Sequence, residues 1–491
     1  MIAKPCQDCL YKLTLRLGSG NYAKIVLMKF SKKQNKFSLL ILILCAILIY
    51  LFLKEFSERK ILFKKAEETP LEITFTTTAT EPLLPIWKNF AQGGEKSAAM
   101  LTPAAKEIKA LEPGYIRIDH LFDFYDIVRR GADGKLIYNF VVLDERVNEI
   151  LDLGAKPFLA LSYFPRAISK NLTEIPPSFS EWEDLIFRVI QRYSGREEKN
   201  IPDVYYEVWN EPDLFGEMEP EVYFSLYNSS VKAAEKCQNC QPFKIGGPAI
   251  STLKNFWMET FLSLVRQHKV RMDFVSWHSY QKNPEKALWE INTLKNLASF
   301  TQMTPKPEVI ISEWGSTPEI SSWHDSFFDA SHTIATIVLL QNSVDKIFAF
   351  EIKDGLSPTQ AQYWGRWGLL TNEKTGLTAK PRYYSFIFLN KLFNYQIQKV
   401  SGNLPGIGTT DKQGNFKILL TRNDQSFGQK NIKVKVLRPS SGSYGARMYF
   451  LDQVHDPLTP YPLDIYFEGG SLTLSFTSLP LGTYLIEILK I

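Results

Sequence analysis

The feature that most restricts the fold is a repeated alternation of short apolar runs with longer amphipathic stretches between about residues 70 and 392. The apolar runs are candidate strands, and they begin near residues 71, 115, 156, 204, 243, 272, 308 and 346. The stretches between them have helical periodicity, as in SEWEDLIFRVIQRYSG, which ends at Gly195. Eight strand and helix units predict a closed (β/α)8 TIM barrel of the α/β class. An open doubly wound sheet is the alternative, but no glycine-rich phosphate loop follows any of the strands.

The C-terminal part of the chain has a different pattern. From about residue 395, short β-type runs such as NFKILLTRND, SLTLSFTSL and TYLIEILKI are separated by Gly, Pro, Asn and Ser. This pattern predicts a C-terminal antiparallel β-sandwich. The sequence YYSFIFLNKLFNY joins it to the barrel without a Gly/Ser-rich linker, so we expect the two parts to pack together.

An uncharged, strongly apolar run, FSLLILILCAILIYLFL, occupies residues 37–53. As a helix it would span roughly 25 Å, which is within the usual range for a membrane span. A buried core helix is the alternative, but such a helix would have a polar face, and this run has none. Lysines and arginines flank both ends, and further basic residues in the tail shift the balance toward a cytoplasmic N-terminus. The sequence therefore predicts a single-pass anchor in the lipid bilayer of the cell membrane, with the barrel on the extracytoplasmic side.

The predicted organisation is a cytoplasmic tail (1–36), a transmembrane helix (37–53), a linker (54–69), the barrel (70–394) and the sandwich (395–491). The formal net charge is +5 and acids and bases are mixed, which argues against a nucleic-acid partner. Cys6 and Cys9 are best interpreted as free thiols, because a zinc site needs about four ligands. Cys237 and Cys240 could close a small disulfide in an oxidising compartment.

Polar and ionisable residues recur where the predicted barrel strands end. The active sites of TIM barrels lie at the C-terminal ends of the strands, so this edge is where we expect chemistry. The candidate residues at these ends are Arg117, Asp119 and His120, Ser162 and Tyr163, Asn210 and Glu211, His278 and Tyr280, Glu313 and Trp314, and Glu351 and Asp354.

Two of these acids each close an apolar strand: Glu211 in VWNEP and Glu313 in VIISEWG. A salt-bridged loop glutamate is the alternative for either residue alone. On strands four and seven, however, the two carboxyl groups would face each other across the barrel mouth. Glycoside hydrolysis needs two carboxyl groups on either side of the scissile bond, one to protonate the leaving oxygen and one to attack the anomeric carbon. The pair therefore predicts this chemistry.

The ordered set of motifs resembles glycoside hydrolase family 39, one of the clan A retaining glycosidases. The stretches that carry the resemblance are YYEVWNEPD, DFVSWHSY, ISEWG and WGLLTNEKTGLTAKPRYYSFIFLNKL. The family contains β-xylosidases, α-L-iduronidases and exopolysaccharide-cleaving enzymes. The resemblance implies a retaining hydrolase of a β-xyloside or a related oligosaccharide or polysaccharide, which the predicted helix at residues 37–53 would anchor in the membrane.

Carried over by the resemblance, Glu211 would be the catalytic acid/base and Glu313 the catalytic nucleophile. Asn210 would bind the sugar 2-hydroxyl, and Tyr280 would orient Glu313 and keep it ionised. The other substrate-binding candidates are Arg117, His120, His278 and Trp314.

Several of these positions have alternative interpretations. Arg117 would lower the pKa of Glu313 by its charge, but it could also form a structural ion pair. His278 could line the glycone pocket or be a core or helix-cap histidine. Trp314, Trp364 and Trp367 are candidates for stacking on sugars, whereas Trp209 is expected in the core.

This chain departs from the family pattern at RIDHLFD, where Asp119 stands between Arg117 and His120. The position is next to the expected glycone pocket, so the sugar stays open, as do exo or endo action and the oligomeric state. Neither a metal nor another cofactor is expected. A glycan-binding protein with weak catalysis, or an assembly factor of the cell envelope, is the alternative to an enzyme, but both catalytic candidates are present.

Overall fold

The computed structural model describes residues 11–17, 21–27, 71–93, 96, 98–411, 413–426 and 428–491. Two compact units can be distinguished, residues 1–69 and residues 70–491. In the first, β1 (Tyr11–Leu17) and β2 (Asn21–Leu27) form an antiparallel pair that the sequence analysis did not predict. The predicted transmembrane segment, residues 37–53, lies outside the described residues, as do Cys6 and Cys9. Within the described ranges, no helix has both the length and the apolar character needed to cross a bilayer.

The second unit begins with one strand that precedes a barrel of eight strands. In chain order the strands are β3 (Leu71–Pro82), β4 (Asn89–Gln92), β5 (Tyr115–Ile118), β6 (Val128–Arg130), β7 (Leu136–Tyr138), β8 (Lys156–Leu161), β9 (Val204–Val208), β10 (Phe243–Ile250), β11 (Phe274–Tyr280), β12 (Glu308–Gly315) and β13 (Lys346–Phe350). In this part of the chain, β4, β5 and β8 to β13 close into a barrel in chain order, and all neighbours are parallel. A short antiparallel hairpin of β6 and β7 lies between two of the barrel strands in the chain.

Helices connect the barrel strands and cover the outside of the barrel. They are α1 (Ala105–Ala110), α2 (Val141–Asp152), α3 (Ser180–Ser194), α4 (Pro220–Glu235), α5 (Asn255–Gln267), α6 (Pro284–Asn296), α7 (Ala298–Gln302), α8 (Phe327–Leu340) and α9 (Pro381–Asn390). Short 3-10 turns occur at Thr102–Ala104, Ser322–Asp325 and Glu373–Thr375. The predicted TIM barrel is confirmed.

One predicted barrel strand was wrong. The run near residue 71 forms β3, which lies in the C-terminal sheet, and the first barrel strand is β4. The burial patterns explain the difference. β3 buries Ile73 and Phe75 on one face and exposes its second half, whereas β4 is buried throughout, as parallel barrel strands are. The barrel therefore begins after β3, and residues 71–82 belong to the sheet of the C-terminal domain.

The remaining strands form the sandwich together with β3. They are β14 (Tyr395–Gly402), β15 (Gly406–Thr410), β16 (Phe416–Thr421), β17 (Lys430–Leu437), β18 (Tyr444–Leu451), β19 (Tyr461–Leu463), β20 (Tyr466–Glu468), β21 (Ser471–Ser478) and β22 (Thr483–Lys490). Their order in one continuous ladder is β19-β18-β22-β16-β15-β14-β3-β17-β21-β20. The pairs are antiparallel except for β3 with β17. One apolar core contains residues from both halves of this ladder, including Met448 and Ile486 from one and Val434 and Leu474 from the other, so the sheet curls over on itself.

The sandwich packs against the barrel, as the sequence predicts. Ile407, Leu419, Tyr449, Leu451 and Leu485 of the sandwich are buried in the same apolar cluster as the barrel helices. Inside the barrel, a separate layer of Ala91, Phe158, Tyr205, Phe274, Ile310 and Phe348 closes the lower part. The polar side chains of the strands therefore lie above this layer, toward the C-terminal ends.

The position of β3 gives a prediction about truncation. A chain that begins at residue 70 should fold, whereas one that begins at residue 83 should lose the sandwich. The reason is that β3 pairs with β14 on one side and β17 on the other, and its Ile73 and Phe75 are fully buried. Thermal unfolding followed by circular dichroism, together with limited proteolysis, would compare the two chains. Equal melting temperatures and equal protease resistance would contradict the role we assign to β3.

Candidate active site

A cavity of about 890 Å³ lies at the C-terminal ends of the barrel strands. Its lining includes the residues that follow β5, β8 and β9 and the ends of β11 and β12, namely Asp119, His120, Tyr163, Asn210, Glu211, Tyr280 and Glu313. Most of the polar residues that the sequence analysis placed at the strand ends therefore meet in one place. This is the position that TIM barrels use for their active sites.

Arg117, in β5, connects three acceptors beneath the cavity. Its Nε donates to Glu207 Oε2 at 2.7 Å, its Nη1 to Glu313 Oε1 at 2.8 Å and its Nη2 to Asn210 Oδ1 at 2.8 Å. The side chain is 1% exposed, so it lies under the site and not on the cavity wall as a substrate contact. Burial lowers the pKa of Arg117, but the charges of Glu207, Glu313 and Asp119 outweigh that effect and raise it above its ordinary value.

Glu313 is held at both carboxylate oxygens. Oε1 accepts from Arg117, and Oε2 accepts from the Tyr280 hydroxyl at 2.7 Å. Burial raises the pKa of Glu313 above its ordinary value, and the charges of His278 and Arg117 lower it in part. Arg117 thus acts in the predicted direction, but burial determines the net shift. Burial and the adjacent Glu313 raise the pKa of Tyr280 well above its ordinary value, so its hydroxyl stays a donor.

Glu211 follows β9 in a sharp turn. The backbone has φ of 73° at Trp209 and 48° at Glu211, both in the left-handed region. Pro212 disfavours the right-handed helical conformation for the residue before it, so the strand cannot run directly into a helix. Glu211 Oε1 lies within hydrogen-bond distance of His278 Nδ1, at 2.8 Å, and the same nitrogen lies 3.5 Å from Glu313 Oε2. One oxygen of Glu211, one of Glu313 and a ring nitrogen of His278 all lie within 4.8 Å of one another.

His278 is fully buried in β11 and does not line the cavity. Burial lowers the pKa of His278, but Glu313 and Glu211 raise it more, and the net shift is upward. His278 is therefore not a sugar contact, and it is more than a core histidine. It contacts both carboxylates and positions them. His120 does line the cavity, and its Nδ1 lies 2.8 Å from Asp123 Oδ2.

The prediction that Trp314 stacks on a sugar was wrong. Glu313 and Trp314 are neighbours in β12, so their side chains point to opposite faces of the sheet. Glu313 faces the cavity, whereas Trp314 is fully buried among the outer helices, stacked on His332 with the Arg382 guanidinium 4.8 Å from its ring. Trp367 does line the cavity, and Trp209 is buried as expected.

Tyr163, a candidate from the strand ends, lines the cavity, and its hydroxyl accepts from Asn210 Nδ2 at 2.8 Å, which fixes the amide. Sequence reasoning missed two contributors, Glu207 and Arg366. Glu207 is a fully buried partner of Arg117, and the available signal was an acid inside the apolar run VYYEVW. Arg366 lines the cavity next to Glu351, with Nη2 at 3.5 Å from Oε1, and its guanidinium lies 4.5 Å from the ring centre of Trp367.

Glu211, His278 and Glu313 are the group in the described part of the chain that could offer ligands to a metal ion. The Arg117 guanidinium bonded to Glu313 argues against that use, because a fixed positive charge next to a ligand repels a cation. The chemistry that the arrangement does support is that of two facing carboxyl groups in different environments. Arg117 and Tyr280 hold Glu313 at both oxygens, whereas Glu211 is more exposed and contacts His278, whose Nδ1 also lies 3.5 Å from Glu313.

Comparison with known proteins finds a matching family, two similar relatives and a similar solved structure. The model of the family described as glycosyl hydrolases family 39 matches residues 75–442. The chain is 26% identical to a β-xylosidase of Caldicellulosiruptor saccharolyticus over 394 residues, 73% of this chain and 78% of that protein. It is also 26% identical to a β-xylosidase of Geobacillus stearothermophilus over 306 residues, 55% of this chain and 59% of that protein. The crystal structure of the GH39 enzyme from Xanthomonas axonopodis pv. citri superposes with a TM-score of 0.72 at 17% identity, over 86% of this chain and 98% of that one, which supports the fold.

The buried ion pair gives a prediction about stability. Arg117→Met should reduce the free energy of unfolding by about 3 to 5 kcal/mol, because it leaves the Glu207 carboxylate buried without its partner. The double variant Arg117→Met with Glu207→Gln should recover part of that loss. Arg130→Met, which breaks the exposed pair of Arg130 and Glu181, is the matched control and should have little effect. Urea unfolding measures all four chains, and a loss at Arg117 no larger than at Arg130 would contradict the role of the buried pair.

Proposed function

The chain belongs to glycosyl hydrolases family 39, and from that premise we propose that it is a retaining enzyme in which Glu211 and Glu313 carry the reaction. The family resemblance of its motifs is thereby confirmed, and the chain is a glycosidase that hydrolyses O-glycosyl compounds. What is proposed here is the mechanism, the role of each residue, the sugar and the location.

The observation that carries the proposal is the short distance between the two carboxyl groups. One oxygen of each lies within 4.8 Å of the other. Retaining glycosidases hold their carboxyl groups about 5 to 5.5 Å apart, whereas inverting enzymes need about 6.5 to 9.5 Å to admit a water molecule between carboxylate and sugar. The spacing therefore supports a double displacement.

In the first step, Glu313 attacks the anomeric carbon and Glu211 donates a proton to the glycosidic oxygen. Glu313 has to be ionised to attack. The positive charge of Arg117 stabilises the ionised carboxylate, and Arg117 and Tyr280 each donate one hydrogen bond to it. These donors also fix the direction of the carboxylate, because both oxygens are held. The C–O bond to the leaving group breaks, and the sugar becomes an ester of Glu313.

In the second step, Glu211 takes a proton from a water molecule, which attacks the anomeric carbon and releases Glu313. Two inversions give net retention. Asn210 lies next to Glu211 in the chain and lines the cavity, and Arg117 donates to its Oδ1. Its amide would therefore face the hydroxyl on the carbon next to the anomeric carbon. We assign it to the 2-hydroxyl. Tyr163 supports Asn210 from the other side.

For the substrate we propose a β-xyloside or a related oligosaccharide or polysaccharide. Two relatives at 26% identity are β-xylosidases, which supports this class. The cavity lining also contains the buried polar side chains of Asp119 and Glu351, which would bind sugar hydroxyls.

For the location we propose that residues 37–53 anchor the chain in the cell membrane with the barrel outside the cytoplasm. The uncharged, apolar run supports the anchor. The disulfide between Cys237 and Cys240, as the sequence analysis anticipated for an oxidising compartment, supports the orientation, since such bonds are rare in the cytosol.

The mechanism predicts different outcomes for the two glutamates. Glu313→Ala should abolish turnover of every substrate, because no glycosyl ester can form. Glu211→Ala should still carry out the first step on substrates with good leaving groups, while hydrolysis of the ester slows. Azide should then restore turnover and yield a β-glycosyl azide from a β-glycoside, because azide needs no general base. If azide instead yields the β-glycosyl azide with Glu313→Ala and the α-glycosyl azide with Glu211→Ala, the two roles are reversed.

The anchor predicts fractionation. The full chain should sediment with membranes, whereas a chain that begins at residue 70 should remain in the soluble fraction. Protease added to intact cells should reach the barrel, because it would lie outside the membrane. Immunoblots against each end of the chain measure both outcomes. A protected barrel with a cleaved N-terminal tail would reverse the topology.

A further inference from the structure

Glu290 is a buried carboxylate in the helical layer around the barrel, and it takes no part in the proposed mechanism. It lies in α6, where Ala287, Ile291 and Leu294 form the apolar stripe that packs on the barrel. Glu290 occupies the same stripe and is 1% exposed. A carboxylate at such a position is costly unless hydrogen-bond donors satisfy it.

Three donors from one short segment satisfy this carboxylate. Glu290 Oε2 accepts from Trp277 Nε1 at 3.2 Å and from Ser279 Oγ at 2.6 Å. Oε1 accepts from Gln281 Nε2 at 2.6 Å. Burial raises the pKa of Glu290 above its ordinary value, and these three hydrogen bonds lower it in part. Trp277 and Ser279 lie in β11 and Gln281 directly follows it, so the donors occupy alternate positions of the segment.

The residues between these donors contact the proposed catalytic pair. His278 and Tyr280 lie at the intervening positions of β11, and alternate side chains of a strand point to opposite faces. His278 Nδ1 lies 2.8 Å from Glu211 Oε1 and 3.5 Å from Glu313 Oε2. Tyr280 donates to the same oxygen of Glu313 at 2.7 Å. The position of this segment therefore determines three contacts of the two carboxyl groups.

The backbone pairing of β11 changes at the same place. The pairing with β10 ends at Trp277, and residues 278–280 continue beyond it with β12 as their partner. The register with β12 shifts between Trp277 and His278. Glu290 bonds the residues on both sides of His278, and it therefore holds the strand where the ladder of backbone hydrogen bonds is irregular.

We propose that Glu290 is a positioning residue for the hydrolytic reaction, and that it acts through β11 by holding His278 and Tyr280 against the two carboxyl groups. The inference rests on the proposed function, because it takes Glu211 and Glu313 as the reacting pair. A carboxylate with a structural role alone would stabilise the fold and leave the geometry of that pair unchanged. The two roles therefore differ in their effect on the reaction.

The test compares Glu290→Gln with a matched variant of another buried carboxylate. Glutamine replaces one acceptor oxygen with an NH2 group, which donates and cannot accept, so at least one of the three hydrogen bonds is lost. Glu149→Gln is the control. Glu149 lies in α2, is 8% exposed and accepts from the backbone N–H groups of Met100 and Thr102. Both variants should lower the melting temperature.

Kinetics should separate the two variants. The substrate is an aryl glycoside that the unaltered chain hydrolyses, with 4-nitrophenyl β-xyloside as the first choice. Glu290→Gln should lower kcat/KM about 100-fold, the scale expected when catalytic groups are misplaced by about 1 Å. Glu149→Gln should leave kcat/KM near the value of the unaltered chain. Equal values of kcat/KM in the two variants would overturn the positioning role.

The pH profile gives a second readout that a structural role would not change. The charged and titratable groups around Glu313 are His278, Arg117, Tyr280, Glu211 and Asp119. Of these, His278 and Tyr280 lie on β11 and stabilise the ionised form of Glu313. Displacement of β11 weakens that stabilisation, so the pKa of Glu313 should rise in Glu290→Gln. The acidic limb of kcat/KM should then move to higher pH. An unchanged limb would count against the proposal.

Ser279→Ala tests the same proposal with a smaller change. It removes one of the three donors and leaves Glu290 in place. We expect a smaller loss of kcat/KM than in Glu290→Gln, with the acidic limb displaced in the same direction. This variant decides the matter if Glu290→Gln does not fold, and activity and pH profile equal to those of the unaltered chain would then overturn the inference.

Crystal structures give a readout that needs no activity. The distance from Tyr280 Oη to Glu313 Oε2, which is 2.7 Å here, should lengthen in Glu290→Gln or, if that variant does not fold, in Ser279→Ala. An unchanged distance would overturn the positioning role. If the distance lengthens but the unaltered chain hydrolyses no aryl glycoside, Glu290 still positions the two carboxyl groups and the proposed function fails. If the unaltered chain is active and the variants keep its distance and its kcat/KM, only the inference about Glu290 fails.

Discussion

The site depends on a buried arginine that has to satisfy three acceptors at once. Arg117 has almost no contact with water, and a guanidinium in that position is stable only if its donors are paired. Glu207, Asn210 and Glu313 supply the pairing from β9, from the turn after it and from β12. The planar fork fixes their directions relative to one another. The hydrogen bonds that stabilise the buried charge of Arg117 therefore also fix Glu313, the proposed nucleophile, relative to Asn210. Asn210 directly precedes Glu211, the proposed acid.

Burial gives the two carboxyl groups different environments. Glu313 lies deeper, and desolvation raises its pKa, which would oppose its use as an ionised nucleophile. The charges of His278 and Arg117 and the hydroxyl of Tyr280 act against that effect. Glu211 is more exposed and reaches His278 alone among these partners. Glu313 is buried with a fixed donor on each oxygen, which suits nucleophilic attack. Glu211 is more accessible and lies beside one imidazole, which suits proton transfer.

The sequence predicted the barrel, the sandwich and the meeting of the strand ends, because these follow from hydrophobic period and strand order. Seven of the eight predicted barrel strands are confirmed. The errors have a common physical cause, the direction in which a side chain points. β3 was placed in the barrel although its alternation of buried and exposed residues is that of a sheet with one solvated face. Trp314 was placed in the cavity although it neighbours Glu313, and two adjacent strand residues cannot face the same way. Glu207 was missed because its role depends on a partner ninety positions away in the chain, which no local pattern contains.

The turn after β9 determines where Glu211 lies. Proton donation, the role we propose for Glu211, needs its carboxyl group in a fixed position at the cavity. The left-handed conformation at Glu211 and the proline after it end the strand abruptly, and the next residues fold back onto the Glu211 carbonyl. That geometry carries Leu214 and Phe215 to the cavity as a consequence of positioning the acid. Phe215 also packs edge-on against Tyr163, with 5.7 Å between the ring centres, and Tyr163 accepts a hydrogen bond from Asn210. The turn that positions Glu211 therefore also supports, through Phe215 and Tyr163, the amide that precedes Glu211 in the chain.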